Sequence, residues 1–351
     1  MSAEPVLFCC NTGPQVGLGH LMRVREMARH LVAAGHPCLL YGPPEALARP
    51  EDRALFTLWQ PETGAEVADS ALRARVLVAL AQARGSRRLV IDDYRGDMAF
   101  QDVLAAAGMH WLQQFDASLT DRHYRCPVLV NASPWERPEH YRTRLPDPGT
   151  QALFGPRYAV IRPEFRAITP QPDDRPLRRL LIAFGGGDDR GMTLRALDAL
   201  ASRPLPGVTP VIVSGAANPA LAQIAARVAE AGTGAELHVA PPDMAGLIAG
   251  CDLGLIAGGT MSSELAICGV PAVLVALAGN QANPCRGWQA LTGAPYLGTA
   301  AEVTPEAIAA SLGGLAGDRS ARARMAAAGR AAVDGLGTER LTAALLEREM
   351  A

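Results

Sequence analysis

Short continuous apolar runs alternate along this chain with longer stretches of helical periodicity. Val6-Leu7-Phe8-Cys9-Cys10 reads as a buried strand, followed by a glycine-rich turn and an amphipathic helix from about Leu21 to Ala34. Pro37-Cys38-Leu39-Leu40-Tyr41 and Arg88-Leu89-Val90-Ile91-Asp92 read as further strands. The grammar then restarts. Leu180-Leu181-Ile182-Ala183-Phe184 runs into Gly185-Gly186-Gly187-Asp188-Asp189 and a helix through Thr193–Leu200. Thr209–Val213, Glu236–Val239, Leu253–Ile256 and Ala272–Leu277 are further strands, each followed by a helix or turn. Such runs separated by helices predict parallel sheets covered on both faces. Between the halves, Arg162 to Pro176 holds Pro163, Pro170, Pro172 and Pro176 with Asp173 and Asp174, which is linker composition. The expected architecture is α/β with two doubly wound domains, at 1–165 and 178–351. A linker at 166–177 joins them, and the last helix crosses back to the first domain. The carboxyl ends of the two sheets are expected to face a ligand cleft.

Length and composition agree with two cores: 351 residues suit two domains, and 49% hydrophobic with 19% charged residues is globular. A formal net charge of −2 supplies no global basic field, so neither nucleic acid nor an anionic membrane is an expected partner. The short Arg clusters (Arg84, Arg87, Arg88; Arg178, Arg179) read as solvated faces. Seven scattered cysteines with no CxxC pair argue for reduced thiols. Met1 leads into Ser2-Ala3-Glu4-Pro5 without a basic start or a long apolar stretch, so no secretory signal or membrane span is expected. The expected location is the cytoplasm.

Four turns after strands carry candidate chemistry. In Gly17-Leu18-Gly19-His20-Leu21-Met22-Arg23, glycines let backbone approach a ligand and the following helix offers unpaired N–H groups to an anion. Met22 stands where a dinucleotide-binding GxGxxG needs its third glycine, and no Gly-Lys-Ser/Thr of a P-loop follows. Asp92-Asp93-Tyr94 places carboxylate and phenol at a strand end, where they could orient a water or an imidazole, or where the Asp could merely cap the next helix. Ala257-Gly258-Gly259-Thr260-Met261-Ser262-Ser263-Glu264 after an apolar strand makes a metal-free pyrophosphate cradle, with Glu264 placed for ribose hydroxyls. Asn280 and Gln281 end the next strand with amides suited to a sugar. Gly185-Gly186-Gly187-Asp188 either contacts phosphate or closes a tight connection. The seven histidines show no HxxxH or HExxH spacing, and no GxSxG elbow occurs, so no metal and no cofactor are expected.

In this order these residues resemble the UDP-sugar hydrolases of pseudaminic-acid biosynthesis (the PseG family), a branch of the spore-coat SpsG-like proteins. The likeness runs through Gly17–Arg23, Asp92–Tyr94, Val130-Asn131 and Leu153–Phe165, which ends Tyr158-Ala159-Val160-Ile161-Arg162-Pro163-Glu164-Phe165. It continues through Phe184–Asp188, Met244 with Cys251-Asp252, and Gly258–Glu264 to Asn280-Gln281. Asn11-Thr12-Gly13 depart from that family's acidic, small-residue run, and Gly187 stands where it often has Ser. The resemblance implies a glycosyltransferase-B fold of two Rossmann-like domains, shared with the MurG-type transferase. It implies metal-independent hydrolysis of a UDP-activated acetamido-deoxy sugar and a place in nonulosonic-acid synthesis for flagellin glycosylation. It makes His20 the catalytic residue with Tyr94 and Asp92 beside it. It puts Gly187, Met244, Gly259, Thr260, Ser262, Ser263 and Glu264 on UDP, with Glu264 on the ribose. Gly17, Gly19, Arg23, Asn280 and Gln281 fall to the sugar.

The expected mechanism needs little acid catalysis, because UDP leaves as an anion and the cradle stabilises its oxygens. An imidazole changes charge near neutral pH, so His20 could act as base on water attacking from the face opposite UDP, with inversion. A glycosyltransferase with a hydroxyl acceptor, a hydrolysing epimerase and a nucleotide-sugar-binding protein without catalysis remain alternatives. The only expected partner is the UDP-sugar, and a monomer is expected.

Overall fold

The computed structural model describes residues 3–13, 18–64, 68–114, 123–141, 143–145, 147–172, 175–230 and 234–347. The chain divides into two compact units. Met1–Ala132, Glu136–Val160 and Leu336–Ala351 form the first, and Ser133–Trp135 with Ile161–Gly335 form the second.

The first unit alternates strand and helix: β1 (Val6–Cys10), α1 (Gly19–Ala33), β2 (Cys38–Gly42), α2 (Asp52–Leu55), β3 (Phe56–Pro61), α3 (Ser70–Ala83), β4 (Arg88–Asp92) and α4 (Met98–Ala106). It continues with β5 (His110–Gln114), β6 (Val128–Asn131) and β7 (Gln151–Phe154). All seven strands are parallel, in the order β3-β2-β1-β4-β5-β6-β7. Successive strand residues point to opposite faces, and β1 shows the result. Val6 and Phe8 join a core with Leu21, Val24 and Leu31 of α1, while Leu7 and Cys9 join another with Ala74 and Leu77 of α3 and Phe100 and Leu104 of α4. A strand buried on both faces needs a continuous apolar run, which is why Val6–Cys10 of β1 and Leu89–Ile91 of β4 read so plainly in the sequence.

The second unit begins with α5 (Pro163–Arg166), β8 (Arg179–Ala183), α6 (Met192–Ser202), β9 (Thr209–Ser214), α7 (Leu221–Glu230), β10 (Glu236–Val239) and α8 (Met244–Ala249). It continues with β11 (Leu253–Ala257), α9 (Met261–Cys268), β12 (Ala272–Ala276), α10 (Ala282–Thr292), β13 (Tyr296–Thr299), α11 (Pro305–Gly317) and α12 (Arg319–Ala332). Its six parallel strands run β10-β9-β8-β11-β12-β13. The final helix α13 (Gly337–Leu346) returns to the first unit, where Leu341, Ala344 and Leu345 enter the α1 core.

The proline-rich stretch expected to end the first domain and link the two instead clusters with the second unit from Ile161 onward. Pro163 stands at the start of α5, where its missing N–H is no loss. Phe165 is buried, and Arg175 Nε meets Asp252 Oδ1 at 2.5 Å. Asp173 and Asp174 lie outside the described residues. Among the described residues, no helix is long and apolar enough to cross a membrane.

Each sheet has one place where the chain reverses its direction of winding: between β1 and β4 in the first, between β8 and β11 in the second. Loops leaving the carboxyl ends of such neighbours diverge to opposite faces and open a crevice for a ligand. The register Cys10↔Asp92 and Ile256↔Ala183 brings the relevant strand ends side by side.

Candidate functional site

At the first reversal, α1 carries His20 and Arg23 one turn apart on one face, both directed at Asp92. Asp92 is the last residue of β4 and is buried. His20 Nδ1 lies 2.5 Å from Asp92 Oδ1. Arg23 Nε donates to Asp92 Oδ2 at 2.9 Å and Arg23 Nη2 to Oδ1 at 2.8 Å. The Tyr94 ring stands edge-on to the His20 ring, with centroids 4.5 Å apart. A carboxylate only accepts, so its bond to His20 assigns a proton to Nδ1, and in the neutral ring the lone pair is then on Nε2. Arg23 Nη2 is also 3.0 Å from Nδ1, a donor beside a donor, which places both on the same Asp92 oxygen.

Burial alone would raise the Asp92 carboxyl, but the charges and hydrogen bonds of Arg23 and His20 override it and hold it well below the ordinary aspartate value. Arg23 is correspondingly raised despite burial, by the same carboxylate. The site therefore contains an ionised Asp92 that orients an imidazole. Neither Asp92 nor Asp93 caps a helix: Asp97 caps α4 by accepting from Phe100 N at 3.0 Å. Asp93 takes Arg73 Nη1 at 2.7 Å and Arg95 Nη2 at 2.8 Å instead.

The expected sugar ligands of this half fare differently. Arg23 is committed to Asp92, so its guanidinium builds the histidine's surroundings, a role its i, i+3 spacing from His20 could have signalled. Gly19 opens α1 and is half-buried, and no side chain caps that helix start. Gly17 lies outside the described residues.

At the second reversal, Gly258 follows β11 and must be glycine, because an added Cβ would sit 2.2 Å from Cys285 Sγ on α10. The turn then exposes Gly259 and Thr260, and α9 starts without a side-chain cap. Ser262 and Ser263 N–H groups are taken by Gly259 and Thr260 carbonyls. The N–H groups of Thr260 and Met261 have no such partner among the described residues, so they are the donors an anion could use. Gln281 Oε1 accepts from Leu277 N at 2.8 Å, which orients the amide so that Nε2 lies by Gly259. Asn280 is half-buried in the adjoining 3-10 turn Gly279–Gln281.

Glu264 follows one turn into α9, where Arg162 Nη2 holds its Oε1 at 3.0 Å. Burial raises its carboxyl above the usual range, and Arg162 opposes that rise. Gly187 lies in the exposed loop after β8, the neighbour of β11, and Met244 opens α8 half-buried after β10. The loops after β8 and β9 touch backbone to backbone: a Cβ on Gly215 would lie 1.9 Å from the Gly186 carbonyl oxygen.

Ser262 faces inward. Its side chain falls on the inner face of α9 with Leu265 and Ala266, and its Oγ is buried without a partner among the described residues. It lines a small cavity with Ala266, Trp288, Met325 and Gly329, so helical spacing turns it away from the exposed turn. Ser262→Ala is therefore expected to leave UDP affinity within about twofold of the parent and to leave stability level or slightly raised, since no hydrogen bond is lost. A tenfold weaker Kd by calorimetry would return Ser262 to the binding surface.

All seven cysteines are free and buried. Burial raises their thiols, Cys285 and Cys251 to about 12, which removes them as nucleophiles at neutral pH. Among the described residues no group of three His, Cys, Asp or Glu is arranged to hold a metal ion.

No family model matches the sequence. The spore coat polysaccharide biosynthesis protein SpsG of Bacillus subtilis (strain 168) is 26% identical over 207 residues, 58% of this chain. That match spans 61% of the relative, less than two thirds of its length. Among solved structures, Acinetobacter baumannii MurG matches with a TM-score of 0.67 at 17% identity, over 98% of this chain and 99% of that one. Phytolacca americana UGT2, complexed with UDP-2-fluoro-glucose and pterostilbene, matches at 0.66 and 16% identity, again over 98% and 99%. The fold is thus the two-domain, Rossmann-like glycosyltransferase-B fold.

Proposed function

We propose that this chain is an enzyme acting on a UDP-activated sugar, in which His20 deprotonates the nucleophile that attacks the anomeric carbon. The observation that carries this is the His20–Asp92–Arg23 group at the first sheet's reversal. A buried imidazole whose Nδ1 is tied to an ionised carboxylate has its other nitrogen set to accept a proton, which is a general base. The second half supplies what a nucleoside diphosphate needs: the Thr260 and Met261 N–H groups for pyrophosphate and the Glu264 carboxylate for ribose. As charge develops on the leaving UDP, fixed backbone donors stabilise it without reorganisation.

For the nucleophile we propose water, giving UDP and free sugar with inversion. The joint order of His20, Tyr94, Glu264 and Asn280-Gln281 supports this, through its likeness to UDP-sugar hydrolases that act on acetamido-deoxy sugars. The likeness to SpsG, a spore coat polysaccharide biosynthesis protein, supports a product used in polysaccharide synthesis. A second reading, transfer to a sugar or phenolic hydroxyl, is favoured by the fold itself and by the UGT2 complex with UDP-2-fluoro-glucose and pterostilbene. The same base would serve it. Turnover of UDP-sugars in ¹⁸O-water decides among these. Hydrolysis should proceed without acceptor, leave UDP unlabelled and give the inverted anomer first by NMR. Label in the UDP phosphate would mean attack at phosphorus and overturn the mechanism. UDP release only after an alcohol acceptor is added would make the enzyme a transferase.

A further inference from the structure

We propose that Arg162 is a positioning residue for nucleotide binding: it pins one oxygen of the Glu264 carboxylate and leaves the other to accept from the ribose hydroxyls. This rests on the reading of Glu264 as the ribose ligand. Arg162 precedes α5, in the stretch whose composition resembles a linker, yet it belongs to the second unit. Its Nη2 donates to Glu264 Oε1 at 3.0 Å, and its Nη1 lies 2.9 Å from Glu164 Oε1. Its guanidinium carbon stands 4.7 Å from the centre of the Phe165 ring, and Phe165 is itself buried. The fork is therefore held by a carboxylate at one side and an aromatic face beneath, so it arrives at Glu264 already fixed. Glu264 Oε2 takes no hydrogen bond from any described residue.

A glutamate free to rotate would have to be ordered when nucleotide binds. Holding it beforehand is worth about three- to tenfold in Kd, the equivalent of one immobilised side chain. Arg162 has a second effect. Burial pushes the Glu264 carboxyl upward, and Arg162 is the positive charge that opposes this. On α5, Glu164 also raises Glu264, while the Arg166 side chain lies against Gly335 beside Ile267; on α9, Cys268 is itself raised by the Glu264 charge. The packed neighbours α8 and β11 carry none. Arg322 on α12 turns to the Leu315, Ala316 and Arg175 carbonyls, and Arg330 reaches Gly269 at the far end of α9.

The test is a double-mutant cycle on the full chain with UDP as the probe, titrated calorimetrically at pH 6 and pH 8. Arg162→Met should weaken UDP about three- to tenfold at pH 8. The loss should be greater at pH 6 than at pH 8, because without Arg162 less opposes the rise that burial gives the carboxyl. Arg162→Lys should restore the pH profile but only part of the affinity. On a Glu264→Gln background, Arg162→Met should cost nothing further. Equal losses on both backgrounds, or parental affinity for Arg162→Met at both pH values beside a weakened Glu264→Gln, would refute the positioning role alone. Parental affinity for Glu264→Gln would refute the ribose reading on which it stands.

Discussion

Exchanging His20 for asparagine is expected to lower turnover by about 10²- to 10⁴-fold, the usual worth of a positioned general base. UDP affinity should be nearly unchanged, because the proposed nucleotide ligands all lie in the second unit. The arithmetic is specific to chemistry: a group used only in the transition state lowers kcat and kcat/KM together. His20 is only 2% exposed, so a packing role has to be separated from a catalytic one. Asparagine keeps a polar side chain that can still reach Asp92, and the melting temperature should move by no more than a few degrees. Near-normal turnover in a folded variant would remove His20 from the mechanism. A large fall in melting temperature with proportionate loss of activity would make it a structural residue.

The elements most legible in the sequence are those buried on both faces. β1, β4, β8, β9, β11 and β12 are each built round a run of mostly Val, Leu, Ile, Ala or Cys, which a strand covered on both faces accepts. β3, β7 and β13 were not legible because they are short or mixed: Phe-Thr-Leu-Trp-Gln-Pro and Gln-Ala-Leu-Phe sit at the two edges of the first sheet, and Tyr-Leu-Gly-Thr at an edge of the second. One covered neighbour and one open side impose no clean pattern. β5 is central but carries Gln113 and Gln114, whose amides hide the apolar period of Trp111 and Leu112.

For the site, glycine turns after strands marked both reversals, since only strand-end loops there need close backbone approach. What a single sequence cannot show is which partner a charged group selects across the chain. Arg23 finds Asp92 69 positions away, and Glu264 finds Arg162 102 positions away. Proline count made the Arg162 stretch read as linker, although a Pro at helix N1 followed by an aromatic residue also reads as a docking helix. At Ser262 the sequence is silent for a different reason: hydroxyls at a helix start suggest anion binding, but the 3.6-residue period decides which hydroxyl faces outward.

Asp92→Asn should disturb both stability and chemistry, and the two effects have separate origins. The carboxylate accepts from Arg23 Nε on one oxygen and from Arg23 Nη2 and His20 Nδ1 on the other. An amide has one acceptor, so either orientation turns an NH2 group against a donor. If it faces Arg23 Nε, that donor is orphaned. If it faces His20, the ring must accept at Nδ1 and carry its proton on Nε2, which is the wrong tautomer for a base. Turnover is therefore expected to fall about 10²- to 10⁴-fold. Removing one member of a buried ion pair should also cost about 3–5 kcal/mol, enough to lower the first unit's melting transition by on the order of 10 °C. The pH dependence follows from the lowered Asp92 value. A carboxyl depressed in the native state adds stability that is complete above its unfolded value near about 3.9 and disappears as pH falls through its folded value. The parent should thus be more stable than the variant at neutral pH, and the gap should close only in strong acid. Thermal melts at pH 7 and pH 2, run beside the rate measurements, check this. A variant as stable and as active as the parent at pH 7 would mean that Asp92 neither holds Arg23 by its charge nor sets the tautomer of His20.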